Sequence, residues 1–106
     1  MATQASVVTS KPMLERIRTH APAIREIVER HGATNPRVFG SVARGEEREG
    51  SDVDILVHDQ PSLSLLGLVR MERELAGLLG RSVDVVVEDE VTAKARTRIF
   101  GEAVPL

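Results

Sequence analysis

Apolar residues recur along the chain in two different rhythms. Leu14, Ile17, Ala21, Ile24 and Val28 follow spacings of three and four, the stripe of a helix facing a core. Ser10 is placed to cap that helix, with Pro12 in its first turn, where a missing N–H costs nothing. Pro22 interrupts the stripe, so the pattern predicts either a kink there or a very short break between two helices. His31-Gly32 reads as the helix end. The rhythm then shortens. Pro36–Phe39 is a strand candidate that ends at Gly40, and Ser41–Arg44 reads as one helical turn. Glu46–Ser51 is a charged loop, and Val53–His58 is a strand. After a turn at Asp59-Gln60-Pro61, Ser62 is the expected cap of a helix carrying Leu65, Leu68, Met71, Leu75, Leu78 and Leu79 on one face and ending at Gly80. Leu63 and Leu66 fall off that face and suggest a partner surface. Ser82–Glu88 is β-branched and strand-like. Thr92 is placed to cap a last helix running to about Glu102, with Ile99 or Phe100 turned inward. The predicted order is helix, strand, turn, strand, helix, strand, helix. Residues 1–10 lack any amphipathic period and read as a flexible tail, leaving one domain over 11–106.

Composition narrows the classes. With no cysteine there is no disulfide scaffold and no thiol nucleophile. The net charge of −2 is not the basic footprint of a protein that grips phosphate backbones, and Phe39 and Phe100 are the only aromatics. Direct nucleic-acid binding is therefore not expected. No apolar run is long enough to span a bilayer and the first residues lack a signal-peptide core, so the expectation is a cytoplasmic protein without a membrane partner.

The candidate chemistry lies in Gly40-Ser41, then ten residues, then Asp52-Val53-Asp54. Residues two apart on a strand point to the same side, so Asp52 and Asp54 project together while Val53, Ile55 and Val57 take the other face. Two carboxylates this close repel unless a cation lies between them, and Mg²⁺ suits one or two carboxylates completed by water and substrate phosphates. Asp84 opens the third strand in the same way. If the two strands are neighbours, three carboxylates converge, enough for two divalent ions about 4 Å apart and in-line displacement at phosphorus. Gly40 lets the backbone pass close to a ligand, Ser41 opens a turn with free N–H groups, and Arg44 follows one turn later, within reach of a phosphate or of Glu46 or Glu47. Lys94 and Arg98 could also face this site. His20, His31 and His58 have no paired metal spacing.

The segments Phe-Gly-Ser-Val-Ala-Arg-Gly-Glu (39–46), Ser-Asp-Val-Asp-Ile-Leu-Val (51–57) and Val-Asp-Val-Val (83–86) resemble the DNA polymerase β-like nucleotidyltransferases. They are most similar to the minimal members, the MNT antitoxins of HEPN–MNT toxin–antitoxin pairs. The resemblance covers roughly residues 24–106. It implies an α/β (α+β) fold, a small mixed sheet with helices mainly on one side. It also implies Mg²⁺-dependent transfer of AMP from ATP to a side chain, usually tyrosine, of a partner HEPN ribonuclease toxin. By position, Gly40 and Ser41 would hold the triphosphate, Asp52 and Asp54 the metal, and Asp84 would be the third carboxylate that helps activate the nucleophile. Two other readings compete: a non-catalytic antitoxin that neutralises its toxin by binding, and an enzyme modifying a small molecule. Three like charges kept together argue against the first, and the lack of a second domain to form a pocket argues against the second.

Overall fold

The computed structural model describes residues 12–106, so the expected tail and the Ser10 cap lie outside the described residues. Helix α1 (Pro12–Thr19) and helix α2 (Ala21–Arg30) are separated by the single residue His20, the very short break expected at Pro22. The His20 N–H still donates to the Ile17 carbonyl (3.0 Å), and the His20 carbonyl accepts from Ile24 N–H (3.0 Å), so the stripe crosses the break almost in phase. Leu14, Ile17, Ile24 and Val28 are buried as expected, joined by Ile27. Gly32 takes a left-handed φ of 98° and ends α2.

Strand β1 (Ala33–Phe39) begins three residues earlier than the pattern predicts. Asn35-Pro36 looks like strand-breaking punctuation. The sheet instead absorbs it as an irregularity between Thr34 and Arg37, with Asn35 at φ 55°. A short helix α3 (Gly40–Arg44) follows, then strand β2 (Val53–Asp59). Helix α4 (Leu65–Leu79) is capped by Ser64, whose side chain accepts from Gly67 N–H, and not by Ser62. Ser62 and Leu63 both stay outside the helix, Ser62 in the turn after Gln60. Leu65, expected on the buried face, lies at its edge, is 79% exposed and does not join Met71, Leu75 and Leu79, while Leu63 packs against the core. Leu66, expected off that face, is exposed.

Strand β3 (Val83–Val87) leads through a 3₁₀ turn at Glu88–Glu90 into helix α5 (Ala93–Glu102), capped by Thr92 as expected. Strand β4 (Val104–Pro105), absent from the predicted order, adds to the free edge of β1. The sheet order is β3-β2-β1-β4, with β2 and β3 parallel and the other pairs antiparallel. One face carries Val38, Val53, Ile55, Val57, Val85 and Val87 and packs on α1, α2 and α4. The other carries Phe39 and Leu56, against which α5 lays Ile99, with Phe100 partly buried beside it. Helices thus lie mainly on one side, and α5 alone covers part of the second face. No described helix is long and apolar enough to cross a membrane.

Candidate active site

The sheet topology itself sets Asp54 beside Asp84, with Asp52 two residues before Asp54. Antiparallel pairing sets the end of β1 beside the start of β2, with Phe39 opposite Asp54. Parallel pairing sets the start of β3 beside the same point, with Asp54 opposite Asp84. Adjacent strands lie about 4.8 Å apart, so the Asp54 and Asp84 side chains leave one face as immediate neighbours. Val53, Ile55 and Val57 are fully buried on the opposite face, which fixes the register: a one-residue slip would drive the carboxylate into the core. Asp52 immediately precedes β2 and is exposed, as is Asp84, whereas Asp54 is half-buried.

Burial raises the Asp54 carboxyl above its ordinary value of 3.8, and the negative charges of Asp84, Asp52 and Glu102 push it further the same way. The Arg44 guanidinium acts in the opposite sense and does not cancel them. The three aspartates therefore share one electrostatic field. Among the described residues no three His, Cys, Asp or Glu side chains stand as a group that could hold a metal ion on their own. The donor set is open, anionic and all-oxygen, which fits a hard divalent ion that takes its remaining ligands from water and phosphate.

Gly40 is required by contact as well as by conformation. Its φ is 77°, a region L side chains rarely adopt, and a Cβ there would collide with Asp54 Oδ2. The Gly40 backbone therefore lies directly against the Asp54 carboxylate, and Ser41 follows at once in α3. Arg44 lies in the last turn of α3, which Gly45 closes in the left-handed conformation. Its Nε donates to Glu46 (2.9 Å), one of the two acidic partners expected for it, while Glu47 instead accepts from Met13 N–H.

A residue that the sequence pattern did not single out completes this cluster. Glu102, at the end of α5, accepts from the Gly40 N–H through Oε2 (2.8 Å) and from Arg44 Nη1 through Oε1 (3.0 Å). Arg98 reaches the same carboxylate at 3.6 Å. The available signal was its position: a helix C-terminus disfavours an anion, so an acid there requires other partners.

Residues 21–106 match the nucleotidyltransferase domain family. A Methanocaldococcus jannaschii protein assigned as a protein adenylyltransferase is 44% identical over 78 residues, covering 74% of this chain and 84% of that protein. The Thermococcus cleftensis protein adenylyltransferase MntA is 40% identical over 80 residues, covering 76% of this chain and 81% of its own. A solved minimal nucleotidyltransferase superposes with a TM-score of 0.79 at 45% identity, over 88% of this chain and 95% of that one. At the level of fold alone, the chain also resembles a Shewanella oneidensis complex of a tri-AMPylated HEPN toxin with its MNT antitoxin (TM-score 0.63, 17% identity, 83% of this chain and 69% of that one). With its Gly-Ser turn beside an Asp-x-Asp strand and a third aspartate on the parallel neighbour, the chain belongs to the minimal nucleotidyltransferases, the enzyme family of these protein adenylyltransferases.

Proposed function

We propose that this chain is an antitoxin that adenylylates a HEPN-type toxin, transferring AMP from ATP to a toxin hydroxyl, with tyrosine as the acceptor. The observation that carries the reading is the register Asp54 opposite Asp84, with the Gly40-Ser41 turn against the same carboxylate. The relatives named as protein adenylyltransferases support the reaction type, and the fold-level neighbour, an AMPylated toxin with its antitoxin, supports the partner.

Asp52, Asp54 and Asp84 are the residues that would hold Mg²⁺, two ions in this reading, and the metal supplies positive charge where phosphate oxygens gain negative charge. Gly40 and Ser41 hold the triphosphate, and Arg44 neutralises one of its oxygens. The acceptor oxygen forms a bond to the α-phosphorus as the bond from that phosphorus to the α–β bridging oxygen breaks. Pyrophosphate leaves, and Asp84 takes the hydroxyl proton. The face carrying Asp54 is covered only in part, by α5, and Asp52 and Asp84 stay exposed to a macromolecular acceptor. ATP-dependent work of this kind belongs in the cytoplasm.

The alternative is neutralisation by binding alone. Incubating the chain with ATP, Mg²⁺ and its HEPN partner and weighing the partner separates the two. The enzyme adds one or more AMP masses to the toxin. A stable complex with unchanged masses supports the binder and overturns the enzyme.

A further inference from the structure

Glu102 is only 14% exposed at its side chain, acts on the Asp54 carboxyl, and sits at the end of a helix that disfavours an acid. Two donors hold it there, the Gly40 N–H and the Arg44 guanidinium. These are the donors that the nucleotide reading assigns to the triphosphate. An arginine has five N–H groups and can serve Glu46 and a phosphate together, but Gly40 has one N–H and serves one acceptor at a time. A phosphate oxygen and Glu102 Oε2 are therefore mutually exclusive at Gly40.

We infer that the Glu102 carboxylate is an internal stand-in for phosphate: it fills the Gly40 amide and the Arg44 charge in the nucleotide-free chain, and it must swing out before a triphosphate enters. The inference rests on the nucleotide reading above and adds to it a residue that sets affinity. The backbone at Glu102 is pinned on both sides. Ile99 packs against Phe39 and Leu56, the Ala103 N–H caps the Ile99 carbonyl (3.1 Å), and β4 pairs with β1 at Arg37 and Val38. The exchange is therefore a side-chain rotation, with α5 left in place. Arg44 keeps an anionic partner before and after, and Arg98, four residues back on α5, is positioned to receive the displaced carboxylate. A site whose competent form is only a fraction of the population binds with its affinity reduced by that fraction.

The test is calorimetric titration of wild type, Glu102→Gln and Glu102→Ala with Mg·ATP and with Mg·tripolyphosphate, which lacks base and ribose. Both variants should bind both ligands about fivefold to tenfold more tightly than wild type, from the loss of the internal competitor and of one negative charge facing the phosphates. Unchanged or weaker binding overturns the gate and makes Glu102 a residue that organises the Gly40 turn. A gain seen with ATP and not with tripolyphosphate also overturns it. If wild type binds no Mg·ATP, the nucleotide reading and the gate fall together; if wild type binds and the variants gain nothing, the gate falls alone. Should the variants not fold, wild type still decides. Carbon-detected spectra should show the Glu102 carboxyl signal moving with the Gly40 amide signal at the same ATP saturation, and a Gly40 shift with a static Glu102 carboxyl overturns the exchange.

Discussion

Replacing Asp54 by asparagine should raise the melting temperature of the metal-free protein while removing its activity. Asp54 and Asp84 are register partners on adjacent strands, so their carboxylates stand roughly 5 Å apart. At an effective dielectric of about 20, one such pair costs about 3 kcal/mol. Asp84 is exposed and Asp54 half-buried, so solvent and salt reduce this to about 1 kcal/mol, or ~4 °C for a chain of this size. The pH dependence has a definite sign. The folded-state carboxyl of Asp54 lies above its ordinary 3.8, first through burial and then through Asp84, Asp52 and Glu102, so the folded chain binds that proton more tightly than the unfolded chain does. Ionising Asp54 thus destabilises the fold, and wild type loses stability as pH rises from about 3.8 through the raised value. The advantage of Asp54→Asn should be full at pH 7 in EDTA and shrink as pH falls toward 4. Mg·ATP should then raise the wild-type melting point more than the mutant's, by up to about 2.7 kcal/mol of stabilisation at a hundredfold excess over Kd. A mutant that melts lower than wild type at pH 7 in EDTA, with both responding equally to Mg·ATP, would refute the shared site.

Three further outcomes follow from the same geometry. Gly40→Ala should lose about 2 kcal/mol or more in denaturant unfolding, from its left-handed φ and the collision with Asp54 Oδ2, and wild-type stability would disprove that contact. Asp84→Asn should lose transfer yet still bind Mg·ATP by calorimetry, since Asp52, Asp54 and the Gly40-Ser41 turn remain to hold Mg·ATP and the acceptor proton loses its base; loss of binding would make Asp84 a principal metal anchor. Glu88→Ala should cost about 3 kcal/mol, because it removes the anionic partner of the Arg37 guanidinium, 8% exposed beneath Phe100 and left with only the Asn35 carbonyl, whereas Arg37→Met with Glu88→Gln should recover most of that; equal losses in the single and double mutants would contradict the pairing.

Local pattern carried much of this fold, and what it missed has identifiable causes. The α5 boundaries were legible because Thr92 is a strong cap and the chain changes direction after Glu102. The start of α4 was not, because Ser62 and Ser64 are equally good caps by residue type and the preceding Pro61 turn decides between them. Strand β4 has two residues, one of them proline, and exists only because β1 offers it an edge. The aspartates were legible because strand alternation is local, but their convergence depended on β2 and β3 being neighbours, which only the sheet order determines. Glu102 lies 62 residues from Gly40 in sequence, and no periodicity reaches that far.

The most direct measurement is the fate of the label when the chain, the HEPN-type toxin proposed as its acceptor, and Mg²⁺ are given ATP labelled either at the α- or at the γ-phosphorus. Nucleotidyl transfer at Asp52, Asp54 and Asp84 predicts that α-label enters the toxin and γ-label leaves as pyrophosphate, with the rate falling about 100-fold or more in Asp54→Asn. Incorporation of γ-label, or α-label transfer by Asp54→Asn at the wild-type rate, would contradict it.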